Sequence, residues 1–361
     1  MKIFSYLKHL LFFLSIINLK LTQINSQTLE TCVDVNGNPV DWYLILLFPE
    51  NSSKGGQLSY GYFDSNSQNI QYYLYDKDTF PPLFFTKDLN KKKNTNIIFW
   101  NDDTSTETKK DSASDSKAHS KGSLIYNAQS GKFLTHSLPR FPRRTDDNII
   151  ISDLPENAGI YAQHFLCMSL HGIEAGNMID DLDVISPSLV YQHGLKDLVG
   201  YKTENVERLL SGNTNRKRST SVNRTITTKN GFEFDLFGKS NLIPELPFEN
   251  LIPNLYESNI FVETWNKPQM IPIICNLKYK VRNIKELKFY EFSYNTSKEH
   301  SKWAVLEKKP VSCISDLNRI ESQRKRGGFT ICIRLEILAR IFRFGIVDYE
   351  KCGNENLKFL E

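Results

Sequence analysis

The triplet His-Ser-Lys occurs twice in this chain, at His119-Ser120-Lys121 and at His300-Ser301-Lys302, 181 residues apart, and each copy runs into a short apolar segment. Two distant copies of one short pattern constrain the fold strongly, because they ask for two halves that bring them to a common place. In extended backbone, residues two apart project to the same face, so within each triplet the imidazole and the ammonium point together. A histidine can attack phosphorus or deliver a proton, and a lysine can hold a phosphate oxygen. Two such pairs facing each other supply a nucleophile, a general acid and two cationic clamps, the set that phosphodiester cleavage needs when no metal takes part. One copy alone would carry little weight in a chain so rich in Ser and Lys.

With 361 residues the chain is long enough for two domains, or for one large domain built of two halves. It divides into a leader over 1–27, an N-terminal half over 28–230 with the first triplet, and a C-terminal half over 231–361 with the second. In the leader, Lys2 and Lys8 precede the apolar run Leu10 to Leu19, and the polar stretch Thr22 to Gln27 follows. That is the layout of a secretory signal peptide, too short for a comfortable membrane span. No later stretch is long and apolar enough to cross a bilayer. The mature protein is therefore expected off the membrane, in the secretory pathway, a lysosome or the extracellular space.

Cysteine usage agrees with that compartment. Cys32, Cys167, Cys275, Cys313, Cys332 and Cys352 form an even set outside the leader, for which three disulfides are the expectation. The count alone allows fifteen pairings. No C-x-x-C pair occurs, so a zinc site is not expected; the expectation is a protein with no metal and no cofactor. Sequons at Asn51, Asn223 and Asn295 also fit an exported chain. Losing Lys2, Lys8 and Lys20 with the leader takes the formal charge from +4 to +1, so the mature protein is nearly neutral at pH 7. In acid its histidines and carboxyls take up protons, and attraction to a polyanion rises.

Along the chain, Trp42 to Phe48 reads as a fully buried strand, and Ser59 to Asp64 with Asn69 to Tyr75 as a hairpin. Ile97 to Trp100 is a further strand. Residues 101–117 are almost wholly Asp, Ser, Thr and Lys, and read as a flexible polar loop, either a cover for the cleft or a surface insertion. Ser123 to Tyr126 and Lys132 to Ser137 form a hairpin that returns His136 beside the first triplet, as a supporting residue or a core group. Ala158 to Ile173 reads as a helix, and its His164 and His171 are set aside as packing or surface residues, as is His193. Leu198 to Ser211 and Leu335 to Phe344 read as amphipathic helices. The basic run Arg216-Lys217-Arg218, with Arg224 and Lys229 nearby, is a solvated face or a track for phosphates.

These residues resemble the deoxyribonuclease II family, acid endonucleases related to the phospholipase D superfamily. The resemblance runs from Cys32 to Cys352. It is carried by Pro39-Val40-Asp41-Trp42, by His119-Ser120-Lys121-Gly122 through His136-Ser137-Leu138-Pro139-Arg140-Phe141-Pro142, and by Leu166-Cys167-Met168-Ser169. In the second half it is carried by His300-Ser301-Lys302-Trp303, Cys313 with Asp316-Leu317-Asn318-Arg319, and Arg326-Gly327-Gly328 with Cys332. The resemblance implies a mixed α/β (α+β) phospholipase D-like pseudo-dimer, two β-sheet halves flanked by helices, each giving one His-x-Lys motif to a shared cleft. It implies the disulfides Cys32–Cys167, Cys275–Cys352 and Cys313–Cys332. It further implies metal-independent cleavage of double-stranded DNA at acidic pH through a phosphohistidine, leaving 3′-phosphate ends. His119, Lys121, His300 and Lys302 would be catalytic, and His136 and Asn318 supporting. The wider superfamily places Asp five residues after its motif Lys, where this chain has Tyr126 and Glu307, which weakens a phospholipase reading. A secreted DNA-binding relative without turnover is the alternative from another functional class, and dimerisation is left open.

Overall fold

The computed structural model describes residues 29–53, 55–86, 95–102, 117–144, 150–151, 153–188, 190–194, 203–211, 219–265 and 269–354. The leader, most of the polar loop and the basic run 216–218 lie outside the described residues.

Short strands β1 (Cys32–Val33) and β2 (Pro39–Val40) lead into β3 (Trp42–Phe48), β4 (Ser59–Asp64), β5 (Gln71–Leu74), β6 (Asn96–Trp100), β7 (Gly122–Tyr126) and β8 (Ser130–His136). The small pair β9 (Arg143–Arg144) and β10 (Ile150–Ile151) precedes β11 (Gln163–His171) and β12 (Val190–Gly194). The second half brings β13 (Ser221–Thr227), β14 (Glu233–Lys239), β15 (Ile260–Glu263), β16 (Val281–Phe289) and β17 (Phe292–Asn295). It closes with β18 (Trp303–Leu306), β19 (Val311–Ser315), β20 (Gly328–Arg334) and β21 (Ile346–Tyr349). The result is a mixed α/β structure with two main sheets and few helices. One sheet has the order β12-β6-β7-β8-β11-β3-β4-β5, the other β13-β14-β20-β19-β18-β15-β16-β17 with β21 beside β16. The antiparallel run β6-β7-β8-β11-β3 and the run β15-β18-β19-β20-β14 repeat one strand order in one chain order.

Alternation along the central strands sorts the core into layers. Trp42, Leu44, Leu46 and Phe48 of β3 join a cluster that spans both sheets, with Phe234, Trp303, Ile314 and Ile331 from the second. The intervening Tyr43, Ile45 and Leu47 join an outer cluster of the first sheet, and Phe237, Val262 and Leu306 an outer cluster of the second. Because both faces are covered, β3 is apolar throughout, and the continuous run Trp42 to Phe48 is the strand its sequence suggests. The helix Gly172–Ile185 places Ala175, Met178, Leu182 and Ile185 in the inner cluster, and the helix Glu336–Phe344 places Leu338, Ala339 and Phe342 there. Phe342 meets Trp303 with ring centroids 4.5 Å apart. The sheets are also pinned at their ends: the Asp41 carboxylate accepts from the Thr228 hydroxyl and, at 2.9 Å, from the Asn230 amide.

One element differs from its sequence reading. The segment expected to be a helix over Ala158 to Ile173 opens with a single 3-10 turn at Ala158–Ile160 and is mainly strand β11, paired with β3 and β8, with an α-helix starting only at Gly172. From Gln163 to Leu170 every side chain is buried, the polar Gln163, His164 and Ser169 included, so no exposed polar face marks a period of two, and the short apolar stretch Phe165 to Met168 does not by itself distinguish strand from helix. The predicted helix at Leu198 to Ser211 is described as helix over Thr203–Ser211.

The sulfurs join as Cys32–Cys167, Cys275–Cys352 and Cys313–Cys332, the pairs the resemblance implies. Both partners of the first and third are buried, whereas Cys275 is exposed and Cys352 partly so. Access controls thiol attack. Mild reduction of the native protein is expected to open Cys275–Cys352 first, with the other two surviving until unfolding. Thiol labelling and peptide mapping check this, and prior labelling of Cys32 or Cys313 would contradict it. The sequon residues Asn51, Asn223 and Asn295 are all exposed.

Candidate active site between the two sheets

Each triplet lies immediately before a strand rather than inside one: His119 to Lys121 run into β7, and His300 to Lys302 into β18. The middle serines serve the scaffold. Trp100 Nε1 donates to Ser120 Oγ at 2.9 Å, and the Ser301 hydroxyl and amide both donate to Glu299 Oε1. Glycine at 122 is required by crowding, since a Cβ there would lie 2.5 Å from Leu134 O and 2.5 Å from the Trp100 ring.

What seats the two imidazoles is an exchange between the halves. His119 Nδ1 lies 2.7 Å from the carbonyl oxygen of Asp316, which follows β19 of the second sheet. His300 Nδ1 lies 3.1 Å from the carbonyl of Ser137, which follows β8 of the first, and 3.2 Å from Gln163 Oε1. A carbonyl only accepts, so each bond fixes a proton on Nδ1 and leaves Nε2 for chemistry. These partners are equivalent by register. Gly122 opposes Thr135 and Trp303 opposes Ile314, so Ser137 and Asp316 occupy the same step two residues further on. The backbone repeats the exchange: His119 N donates to Gly327 O at 2.9 Å, and His300 N to Ala162 O at 2.9 Å. Arg326 fastens the entry to the first triplet, donating to the carbonyls of Lys117 at 2.9 Å and Ala118 at 3.0 Å.

Charges of one triplet act on the groups of the other. Burial, then the Lys121 ammonium, hold the His119 imidazole well below the ordinary histidine range, with Lys302 and Arg326 adding to this and Asp102 opposing it. Burial and Lys302, then Lys121 and His119, do the same to His300. Burial and Lys121 push the Lys302 ammonium down to about 7. Two buried lysine ammonium groups, one of them lowering the other, make a strong anion site.

Of the supporting candidates, His136 does not join the triplets. Its backbone amide donates to Lys121 O at 3.2 Å, but its ring belongs to the outer layer, stacked on Phe165 at 5.6 Å and edge-on to Phe141 at 5.3 Å. Burial pushes its imidazole down to about 3, so it is a neutral core group. Asn318 is buried, and its Oδ1 has no partner among the described residues.

Three residues given no role by the sequence reading stand beside the triplets, of which only His164 is there read as a packing or surface residue. His164, one position along β11 from the outward Phe165, accepts the Lys302 amide on Nδ1 at 3.3 Å. Asp316 accepts the Phe329 amide at 2.8 Å, and burial raises its carboxyl to about 6. Asp102, in the segment read as flexible loop, places Oδ1 2.7 Å from Lys121 Nζ and Oδ2 3.2 Å from His119 Nε2. Asp316 lies in the motif Asp316-Leu317-Asn318-Arg319 that carries the family resemblance, which is a usable signal for it; nothing in the sequence distinguishes Asp102 from its polar neighbours. Arg224, a candidate phosphate contact, is instead paired with Asp181 and Glu174.

A sequence profile of deoxyribonuclease II matches residues 31–352. The chain belongs to the deoxyribonuclease II family. Among relatives, it is 29% identical to rat deoxyribonuclease-2-alpha, over 89% of this chain and 94% of the relative. Plancitoxin-1 of Acanthaster planci is 26% identical over 94% and 97%, and deoxyribonuclease-2 of Caenorhabditis elegans 26% over 86% and 91%. The profile match takes in both triplets and all six cysteines, so this deoxyribonuclease II relative carries its paired motifs inside the region common to the family.

Proposed function

We propose that this protein is an acid endodeoxyribonuclease that cuts double-stranded DNA to 3′-phosphate ends without a metal ion, built as a phospholipase D-like pseudo-dimer with one His-x-Lys pair per half. The observation that carries this reading is the reciprocal seating of the two imidazoles, which prepares two Nε2 atoms with opposite tasks beside two buried ammonium groups. In the first step, Nε2 of His119 attacks phosphorus and the bond to the 5′-oxygen breaks, that oxygen taking the proton of the His300 imidazolium. In the second, His300 removes a proton from water, whose oxygen attacks phosphorus. The P–N bond breaks, returning the electron pair to His119 and releasing the 3′-phosphate. Lys121 and Lys302 hold the non-bridging oxygens as charge builds on them. The three disulfides support a place in the secretory pathway, in a lysosome or outside the cell.

The pH dependence follows from the sign of the shifts. Burial and neighbouring cations hold both imidazoles below the usual value of about 6.5, so in the free enzyme the required imidazolium disappears as pH rises through a value lower than that. The expected kcat/KM profile is highest in acid, with its falling limb below about pH 6.5; the limb of kcat lies higher, because a bound phosphate anion favours imidazolium. Plasmid nicking at pH 5 in EDTA, with end-group analysis, is the direct test. Nicked DNA with 3′-phosphates is expected; inactivity at pH 5, or activity abolished by EDTA, would overturn the proposal. DNA binding without nicking would identify a non-catalytic relative.

A further inference from the structure

The Asp102 carboxylate stands on the one nitrogen that the proposed reaction requires to be vacant. An orienting carboxylate would bond the far nitrogen of His119, but Nδ1 is already committed to the Asp316 carbonyl. Asp102 instead spans Nε2 of His119 at 3.2 Å and Nζ of Lys121 at 2.7 Å, with the Arg326 guanidinium 4.0 Å away. It is buried against all three, and although burial raises its pKa, Lys121 and His119 hold it well below the usual carboxylate range. Nor does seating a histidine in this fold call for an anion here. Trp100 opposes Gly122 and Glu263 opposes Trp303, so the residue equivalent to Asp102 in the second half is Trp265. Its indole lies edge-on to His300, with centroids 4.9 Å apart.

We propose that Asp102 occupies the seat of the scissile phosphate in the resting protein, as a built-in competing anion that substrate must displace, and that it thereby sets the affinity of the site for phosphate groups. A phosphodiester has to bring an oxygen to the same ammonium and its phosphorus to the same Nε2, and the carboxylate and the phosphate cannot both be accommodated there at once. The apparent affinity for substrate is lowered by the fraction of molecules in which the seat is taken. Identifying the displaced group's rival as a DNA phosphate rests on the nuclease reading above; the competition itself is measurable without turnover.

The test is calorimetric titration of the mature protein at pH 5 with inorganic phosphate, comparing wild type with Asp102→Asn and Asp102→Ser. Both variants are expected to bind phosphate about tenfold more tightly than wild type. The gain should vanish when Lys121→Met is added to Asp102→Asn, because the freed ammonium is its source. In the nicking assay the same variants should show a lower KM without a higher kcat. Phosphate affinity unchanged or weakened in both folded variants, as judged by their circular dichroism, would overturn the proposal. Tighter phosphate binding in a protein that never nicks DNA would leave this inference standing and remove the nuclease reading instead.

Discussion

Replacing His119 or His300 by alanine is expected to lower kcat for DNA cleavage by at least about a thousandfold, with each single change nearly as damaging as the pair together. The non-additivity follows from division of labour: without the nucleophile no intermediate forms, and without the acid the 5′-oxygen has no proton to leave with. Neither change should unfold the protein, since through Nδ1 the His119 ring bonds the Asp316 carbonyl and the His300 ring is shared between the Ser137 carbonyl and Gln163 Oε1, bonds worth about 1 kcal/mol each. Single-turnover kinetics with both single variants and the double variant measures this. A near-normal rate in either single variant would remove that residue from the chemistry, and fully multiplicative losses would argue that the two act in separate events.

The second large effect is expected at Gly327, which itself carries no group for proton transfer. A Cβ there would lie 2.1 Å from the carbonyl oxygen of Ile185 and 3.1 Å from that of Lys239, and neither backbone oxygen can swing aside as a side chain would. Gly327→Ala should cost about 3 kcal/mol or more, through displacement of the strand entry against the end of the helix Gly172–Ile185. It should also cost activity in whatever protein still folds, because Gly327 O receives the His119 amide. Gly55 is the matching control, with nothing within 4 Å of a built Cβ and no left-handed φ, and alanine there should leave both melting temperature and nicking unchanged. Parallel thermal melts and nicking assays of the two variants decide the matter.

Part of the candidate site is legible in the sequence. The repeated triplets announce themselves because the residue types, their spacing and the apolar continuation all recur, and strand β3 is legible because an uninterrupted apolar run of that length fits a strand covered on both faces. The limits have physical causes too. On the helix that the sequence suggests, His164 reads as a packing or surface residue, and only the pairing of β11 reveals that it receives the Lys302 amide. His136 drew attention by its nearness to the first triplet, yet one step along a strand turns a side chain to the opposite face, so Thr135 reaches Asp316 Oδ1 at 3.4 Å while His136 packs outward on Phe165. Asp102 was invisible for a different reason. A polar loop has no period, and which of its carboxylates turns inward is settled by cations contributed from elsewhere in the chain.

The crossed carbonyl bonds also bear on how little of the polypeptide can suffice. A fragment carrying a single motif would contain an imidazole whose tautomer and rotation nothing dictates, since the atom that dictates them is supplied by the other portion of the gene product. Splitting the chain between the sheets should therefore yield two inert pieces whose competence returns only on reassembly.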